Sequence, residues 1–305
     1  MKLSLSTNWC NRRIDNGQEI ADKAIELGFN ALELGFHTTP KQVEGILTRA
    51  NQIPVESVHA FCPVPISAPC GYPELYSLAS FAKSDRALAK AFVVKNIEFT
   101  SSIGAKTLVL HAGRVGFSSL FRQRSSTTLS ELFSVEKSVT SIKYNNELKK
   151  ALSIRRKNGR KMLEIFKREL ETMLAILEKN DVTLAFENLP YLEGFPNEEE
   201  TIDLVEYFKS KFIRGWFDTG HDKVRCSYGW NDGKLPKSEH FAGMHINDVK
   251  DFFDDHLPPG QGNIDFKALK QFATEVNHVV FEPSSSITEN DLKKGIVYYE
   301  RELQS

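Results

Sequence analysis

The sequence predicts an α/β fold in which eight parallel strands, each followed by a helix, close into a single (β/α)8 TIM barrel. Three observations carry that expectation. Short apolar runs alternate eight times with longer stretches, most of them amphipathic. The runs are apolar nearly from end to end rather than alternating, as strands buried on both faces of a parallel sheet must be. The chain has 305 residues, enough for a barrel of roughly 250 residues and a sizeable insertion. An open, doubly wound sheet is the competing arrangement. Its dinucleotide-binding version has no support, because the first strand–helix turn carries no GxGxxG.

The elements follow in order along one domain, residues 1–305. Residues 3–6 form the first strand. Residues 18–27 (QEIADKAIEL) have helical spacing and stop at Gly28. Strand two is 31–34, the next helix 41–50, and strand three 55–59. A long helix spans 84–103, with Ser84 as N-cap and Gly104 as its stop. Strand four is 107–111 (TLVLH), and a helix covers 161–178. Strand five is 182–187 (VTLAFE), followed by a helix at 199–208. Strand six is 213–218 and strand seven 241–246. A helix at 266–276, strand eight at 279–282 and a helix at 288–301 complete the set.

One segment is surplus to this plan. Between Arg114 and Lys161 stand twelve Lys and Arg against three Glu and no Asp, a net of +9. Because it follows strand four, it is expected on the C-terminal face, where barrel active sites form. Two readings stay open: a solvated surface excursion, or a lid that clamps an anionic substrate.

Composition narrows the function. The chain is 41% hydrophobic and 26% charged, with 39 basic and 40 acidic residues. Near-neutrality supplies no general attraction for nucleic acid or anionic membrane. Cys10, Cys62, Cys70 and Cys226 form no CxxC pair, which points to free thiols in a reducing compartment. The N-terminal residues lack the apolar core of a signal peptide, and no apolar run reaches the ~18 residues of a membrane span. A cytoplasmic protein is expected.

The informative polar residues sit at strand ends. Strand three ends at His59, strand four at His111, strand five at Glu187, and strand six at Asp218, with His221 three residues on. Strand seven carries His245, the next loop holds Asp254 and His256, and strand eight ends at Glu282. In a parallel barrel these ends share one mouth. Each alone has a structural explanation, as a hydrogen-bonded His or a helix cap. Together, unpaired carboxylates would repel, and a divalent cation resolves that repulsion; His with carboxylate suits zinc, manganese or a related ion. Arg114 and Lys250 are candidates for binding a substrate phosphate or carboxylate, or are surface charges. Trp9, Phe36 and Phe61 wall the pocket or pack the core. Gly260 and Gly262 of GQG permit a tight turn near ligand, or are a plain loop. Glu33 and His37 receive no role.

Read as ordered motifs, the chain resembles the xylose isomerase-like sugar-phosphate isomerase/epimerase barrels, a superfamily that includes endonuclease IV. The motifs are LELGF (32–36), SVHAF (57–61), LVLHAGRV (108–115), LAFENLP (184–190), GWFDTGHD (215–222), MHINDVK (244–250), DDHLPPGQGNID (254–265) and FEP (281–283). The resemblance implies a four-ligand metal core at Glu187, Asp218, His245 and Glu282. It also implies a wider cluster adding His59, His111, His221, Asp254 and His256, so one to three ions of zinc, manganese, cobalt or magnesium. It implies a sugar, sugar-phosphate or sugar-acid substrate, isomerised or epimerised through a metal-stabilised enediolate. Glu187 and Glu282 would move the proton, and His221 would orient a hydroxyl. The alternative is an endonuclease IV-like phosphodiesterase acting at abasic sites in DNA, with the basic insertion holding the backbone. A non-catalytic sugar-binding barrel is a third class, but it has no need of intact ligands.

Overall fold

The computed structural model describes residues 3–65, 71–116, 125–253 and 256–304. The strands are β1 (Leu3–Ser6), β2 (Ala31–Leu34), β3 (Val55–His59), β4 (Thr107–Leu110), β5 (Gly113–Arg114), β6 (Thr183–Glu187), β7 (Gly194–Phe195), β8 (Ile213–Asp218), β9 (Phe241–Ile246) and β10 (His278–Phe281). Eight of them close a parallel barrel in the order β1-β10-β9-β8-β6-β4-β3-β2, and β5 pairs with β7 outside it. The single barrel expected from the sequence is therefore the fold.

The helices are α1 (Gly17–Glu26), α2 (Pro40–Leu47), α3 (Lys83–Ser102), α4 (Ser125–Glu136), α5 (Ile142–Glu171), α6 (Leu174–Asn180), α7 (Glu198–Phe208), α8 (Thr219–Ser227), α9 (Lys270–Glu275) and α10 (Glu289–Gln304). Several start on their own sequence chemistry. Thr39 caps α2 in a reciprocal box with Gln42, with Pro40 in the first turn, and Asn197 caps α7 the same way with Glu200.

Several details depart from the sequence expectation: α2 ends at Leu47 rather than residue 50, and the N-cap of α3 is Ala82, with no side-chain cap, rather than Ser84. The helix expected at 161–178 is two helices, because the run of α5 extends back to Ile142 and breaks at Thr172 and Met173. The helix expected at 266–276 shrinks to α9, its first residues forming turns. Helix α8 fills the one unit for which the sequence named no helical residues: TGHDKVRCS is polar, lacks an apolar stripe, and has Gly in its first turn. Its signal was Asp218, whose side chain accepts from the His221 amide as N-cap.

The barrel interior is layered by the two-residue pleat. Val109, Ala185, Trp216 and Val280 form a buried apolar layer inside it. Two residues further along each of those chains stand His111, Glu187, Asp218 and Glu282, so the next layer towards the mouth is polar.

The basic segment is built into the molecule. Leu129 of α4 and Tyr144 and Ala151 of α5 share an apolar cluster with Leu192, Val224, Tyr228, Trp230 and Val249 from the loops and helix beyond β6, β8 and β9. Arg155 of α5 is 4% exposed. It donates to the Leu192 and Gly194 carbonyls at 3.2 and 2.6 Å and to both Glu200 oxygens at 2.7 Å. Gly159, one turn on, leaves the room that this pair occupies; a β-carbon there would meet the Arg155 and Glu200 side chains.

Cys10 and Cys62 are buried free thiols and Cys226 an exposed one; Cys70 lies outside the described residues. Among the described residues no helix is long and apolar enough to cross a membrane.

Removing the Arg155 side chain leaves the half-buried Glu200 carboxylate without its ion-pair partner. Arg155→Ala is expected to cost about 3 kcal/mol in urea unfolding, whereas Arg156→Ala, on the exposed face, stays within about 0.5 kcal/mol.

Candidate metal centre at the barrel mouth

Four carboxylates are buried where the strands end. Glu33, Glu187 and Asp218 are 0% exposed and Glu282 is 5%. The ion-pair partners of Glu187, Asp218 and Glu282 among the described residues are histidines. Glu187 is the hub: its Oε2 lies 3.0 Å from both His59 Nε2 and His111 Nε2, and its Oε1 lies 3.0 Å from His245 Nδ1.

Hydrogen-bond accounting shows what this arrangement lacks. His59 Nδ1 donates to the Ala60 carbonyl at 2.9 Å. A neutral ring has one N–H, so its Nε2 would then turn a lone pair towards the Glu187 carboxylate. His245 repeats the pattern. Its Nε2 meets Glu33 Oε1 at 3.0 Å, and its Nδ1 faces Glu187, Glu282 and Asp218 at 3.0, 3.2 and 3.7 Å. Carboxylates on both sides of one imidazole need an additional cation, either a proton or a metal ion. Burial opposes the charge, but Glu282, Glu187 and Glu33 hold the His245 pKa well above its usual value. Burial likewise raises Glu187, but His245 and His111 carry it well below the ordinary carboxylate range.

The donor set suits a metal equally well. Ligand atoms of His59, His111 and Glu187 lie within 4.8 Å of one another, as do those of Glu187, Asp218, His245 and Glu282. Imidazole nitrogen with carboxylate oxygen is a zinc- or manganese-type donor set.

A further layer of residues aims these groups. Ser57, cross-strand from Glu33, donates to Glu33 Oε2 at 2.8 Å, so Glu33 stands fixed behind His245. Asn188 accepts from the Asp218 amide and donates to its carbonyl, while Asn247 donates to Asp218 Oδ2 at 2.8 Å. Asn8 donates to Glu282 Oε1 at 3.0 Å. His221 donates from Nδ1 to the Asn188 carbonyl at 2.8 Å and packs edge-on to His256. His256 in turn donates to the Glu282 carbonyl at 2.9 Å. Asp254 lies outside the described residues.

Above these groups opens a cavity of about 290 Å³. His59, His111, Glu187, His221 and Glu282 line its base, and Arg12, Phe36, His37, Tyr72, Glu74 and Tyr191 line its sides. The other expected binding residues lie elsewhere. Trp9 and Phe61 are each 1% exposed in the core; Trp9 donates to the Ile287 carbonyl and Phe61 packs edge-on to Tyr76. Lys250 is exposed and outside the lining residues. Arg114 binds Glu74 through two bonds of 2.8 and 3.0 Å and lies 3.4 Å over the Tyr191 ring, so its charge is already paired.

Sequence reasoning missed Asn8, Glu33, Arg12, Tyr72, Glu74 and Tyr191. Glu33 had a signal: a charge inside the apolar strand ALEL must face a polar interior. The others come from loops and carried none.

Next to the site, Asp248 organises the GQG loop. Its two oxygens accept from the amides of Val249, Ile264, Gly260 and Gly262 at 2.8–3.0 Å. A β-carbon on Gly262 would collide with that carboxylate. Asp248→Ala should therefore speed amide exchange at Gly260, Gly262 and Ile264, read by hydrogen–deuterium exchange, and cost about 3 kcal/mol of stability.

A sequence comparison with curated proteins finds no match. Among solved structures the fold resembles a D-tagatose 3-epimerase-like protein, at 19% identity and TM-score 0.66, covering 100% of this chain and 97% of the other. It also resembles a 3-keto-D-glucoside 4-epimerase from E. coli, at 16% identity and TM-score 0.66, covering 99% of each chain. The IOLI protein, solved with a bound zinc atom, matches at 14% identity and TM-score 0.60, over 99% of this chain and 96% of that one. The family profile described as xylose isomerase-like TIM barrel matches residues 21–298. The chain belongs to the xylose isomerase-like TIM-barrel family.

Proposed function

We propose that this protein is a divalent-metal-dependent sugar isomerase or epimerase. The observation that carries the reading is the pair of buried carboxylates, Glu187 and Glu282, at the base of a sugar-sized cavity, both turned to the same imidazole nitrogen. That the structures it resembles include epimerases supports the reaction class, and the zinc in one supports the metal.

Glu187, Asp218, His245 and Glu282 would hold one ion, and His59 and His111 with Glu187 a second. His221 and His256 stand beside them, placed to add to the set. When bound, the metal supplies Lewis acidity that lowers the pKa of the carbon acid next to a sugar carbonyl. The chain's own residues do the rest. Glu187 and Glu282 come from β6 and the end of β10, three places apart round the barrel. One takes the proton from the carbon beside the carbonyl, the electron pair moves onto the carbonyl oxygen, and the other returns a proton. Asn8 holds one oxygen of Glu282, which fixes the direction in which the other points. His221, held by its Nδ1 bond to the Asn188 carbonyl, lines the cavity and would orient a substrate hydroxyl. Buried side chains below and around the base exclude bulk water from the reacting carbon.

The test is solvent deuterium incorporation into a panel of ketoses, by protein loaded separately with zinc, manganese, cobalt or magnesium. Incorporation at one carbon is expected, and Glu282→Gln should lower the rate about 10²- to 10⁴-fold with the fold intact. Cleavage of an abasic duplex oligonucleotide, with no deuterium in any sugar, would instead establish the phosphodiesterase. Glu33→Gln should weaken metal binding about 10- to 100-fold in equilibrium dialysis, because it alters the group that orients His245.

A further inference from the structure

A second hollow, of about 520 Å³, adjoins the cavity above the metal centre. The two share Tyr72, Pro190 and Tyr191 as a common wall. We propose that the second hollow binds an uncharged ring joined to the reacting sugar, so that the substrate is a two-ring glycoside rather than a free monosaccharide. The inference rests on the sugar isomerase or epimerase reading and names the substrate class of that site.

The chemistry of the hollow matches a sugar ring. Its lining includes Tyr228 and Trp230, stacked at 4.5 Å and 11°, with Phe252 edge-on to Tyr228 at 4.9 Å. Helix α4, whose Phe133 packs on Tyr228 and Phe252, contributes Thr127, Ser130, Glu131 and Ser134 to the same lining. Their spacing puts all four on one helix face. Leu129, Leu132 and Phe133 of the same helix pack into the apolar cluster. A pyranose has an apolar C–H face that suits an aromatic wall and a rim of hydroxyls that suits Ser, Thr and Glu.

Charge selects a neutral ring over a phosphate or a carboxylate. The described lining residues include one cation, Arg114, and it is already bound twice by Glu74, while Glu131 adds a negative charge. The same pair makes Arg114 a positioning residue. It lines the outer hollow, while its partners Glu74 and Tyr191 line the inner cavity, so it braces the wall between them.

The experiment is isothermal titration of the metal-loaded protein with D-fructose and D-tagatose, and with the ketose-ended disaccharides lactulose and maltulose. The disaccharides are expected to bind at least about tenfold tighter. Ser130→Trp and Ser134→Trp, each filling the hollow from the exposed side of α4, should remove that advantage and leave fructose affinity unchanged. Equal affinity for one-ring and two-ring sugars would overturn this inference and leave the sugar reading standing. An advantage that survives in both folded Trp variants would also overturn it. Binding of none of the four sugars would overturn both.

Discussion

Everything at the mouth of this barrel follows from burying Glu33, Glu187, Asp218 and Glu282 together, with histidines as the counter-charges described for them. Removing an isolated carboxylate from water costs several kcal/mol, so these groups persist only if each is fully partnered. His59 and His221 give one N–H to a backbone carbonyl, and His245 gives one to Glu33. Those commitments fix the rings, and those of His59 and His245 turn the remaining nitrogen towards Glu187. The result is a nest of acceptors that is complete only with added positive charge.

The fold meets that demand by position rather than by local sequence. Strand pleating puts an apolar layer beneath the polar one, so the carboxylates have a dry floor and an open side. Asn8 and Asn247 then aim individual carboxylate oxygens, while Asn188 holds the backbone of Asp218. Asp218 illustrates the economy: one oxygen caps α8 and the other receives Asn247, while the same side chain belongs to the candidate four-residue metal group. Orienting groups of this kind are part of a metal site, because a ligand free to rotate binds weakly.

The segment after β4 changes the character of the mouth on one side. Its high positive charge suggested either a solvated excursion or an anion clamp. In the structure Arg114 and Arg155 are taken up by Glu74 and Glu200. The apolar residues of α4 and α5 cover an aromatic cluster built on the loops beyond β6, β8 and β9. Packing thus ties part of the segment to the barrel mouth.

The barrel and the ring of histidines and carboxylates at the strand ends were legible in the sequence alone. Apolar runs with a two-residue pleat and amphipathic helices are local patterns, and a parallel barrel sends every strand end to one mouth. His59, His111, Glu187, Asp218, His245 and Glu282 were legible for that reason, and Glu33 was legible in principle as a charge within ALEL. Tertiary structure alone decided the rest. Whether Trp9 and Phe61 face a cavity or the core, whether Arg114 is spare or bound to Glu74, and that Tyr72 and Tyr191 wall the site all depend on contacts between loops far apart in the chain. Loop side chains carry no periodicity, so their partners are set by the packing of the whole barrel and not by their neighbours in sequence.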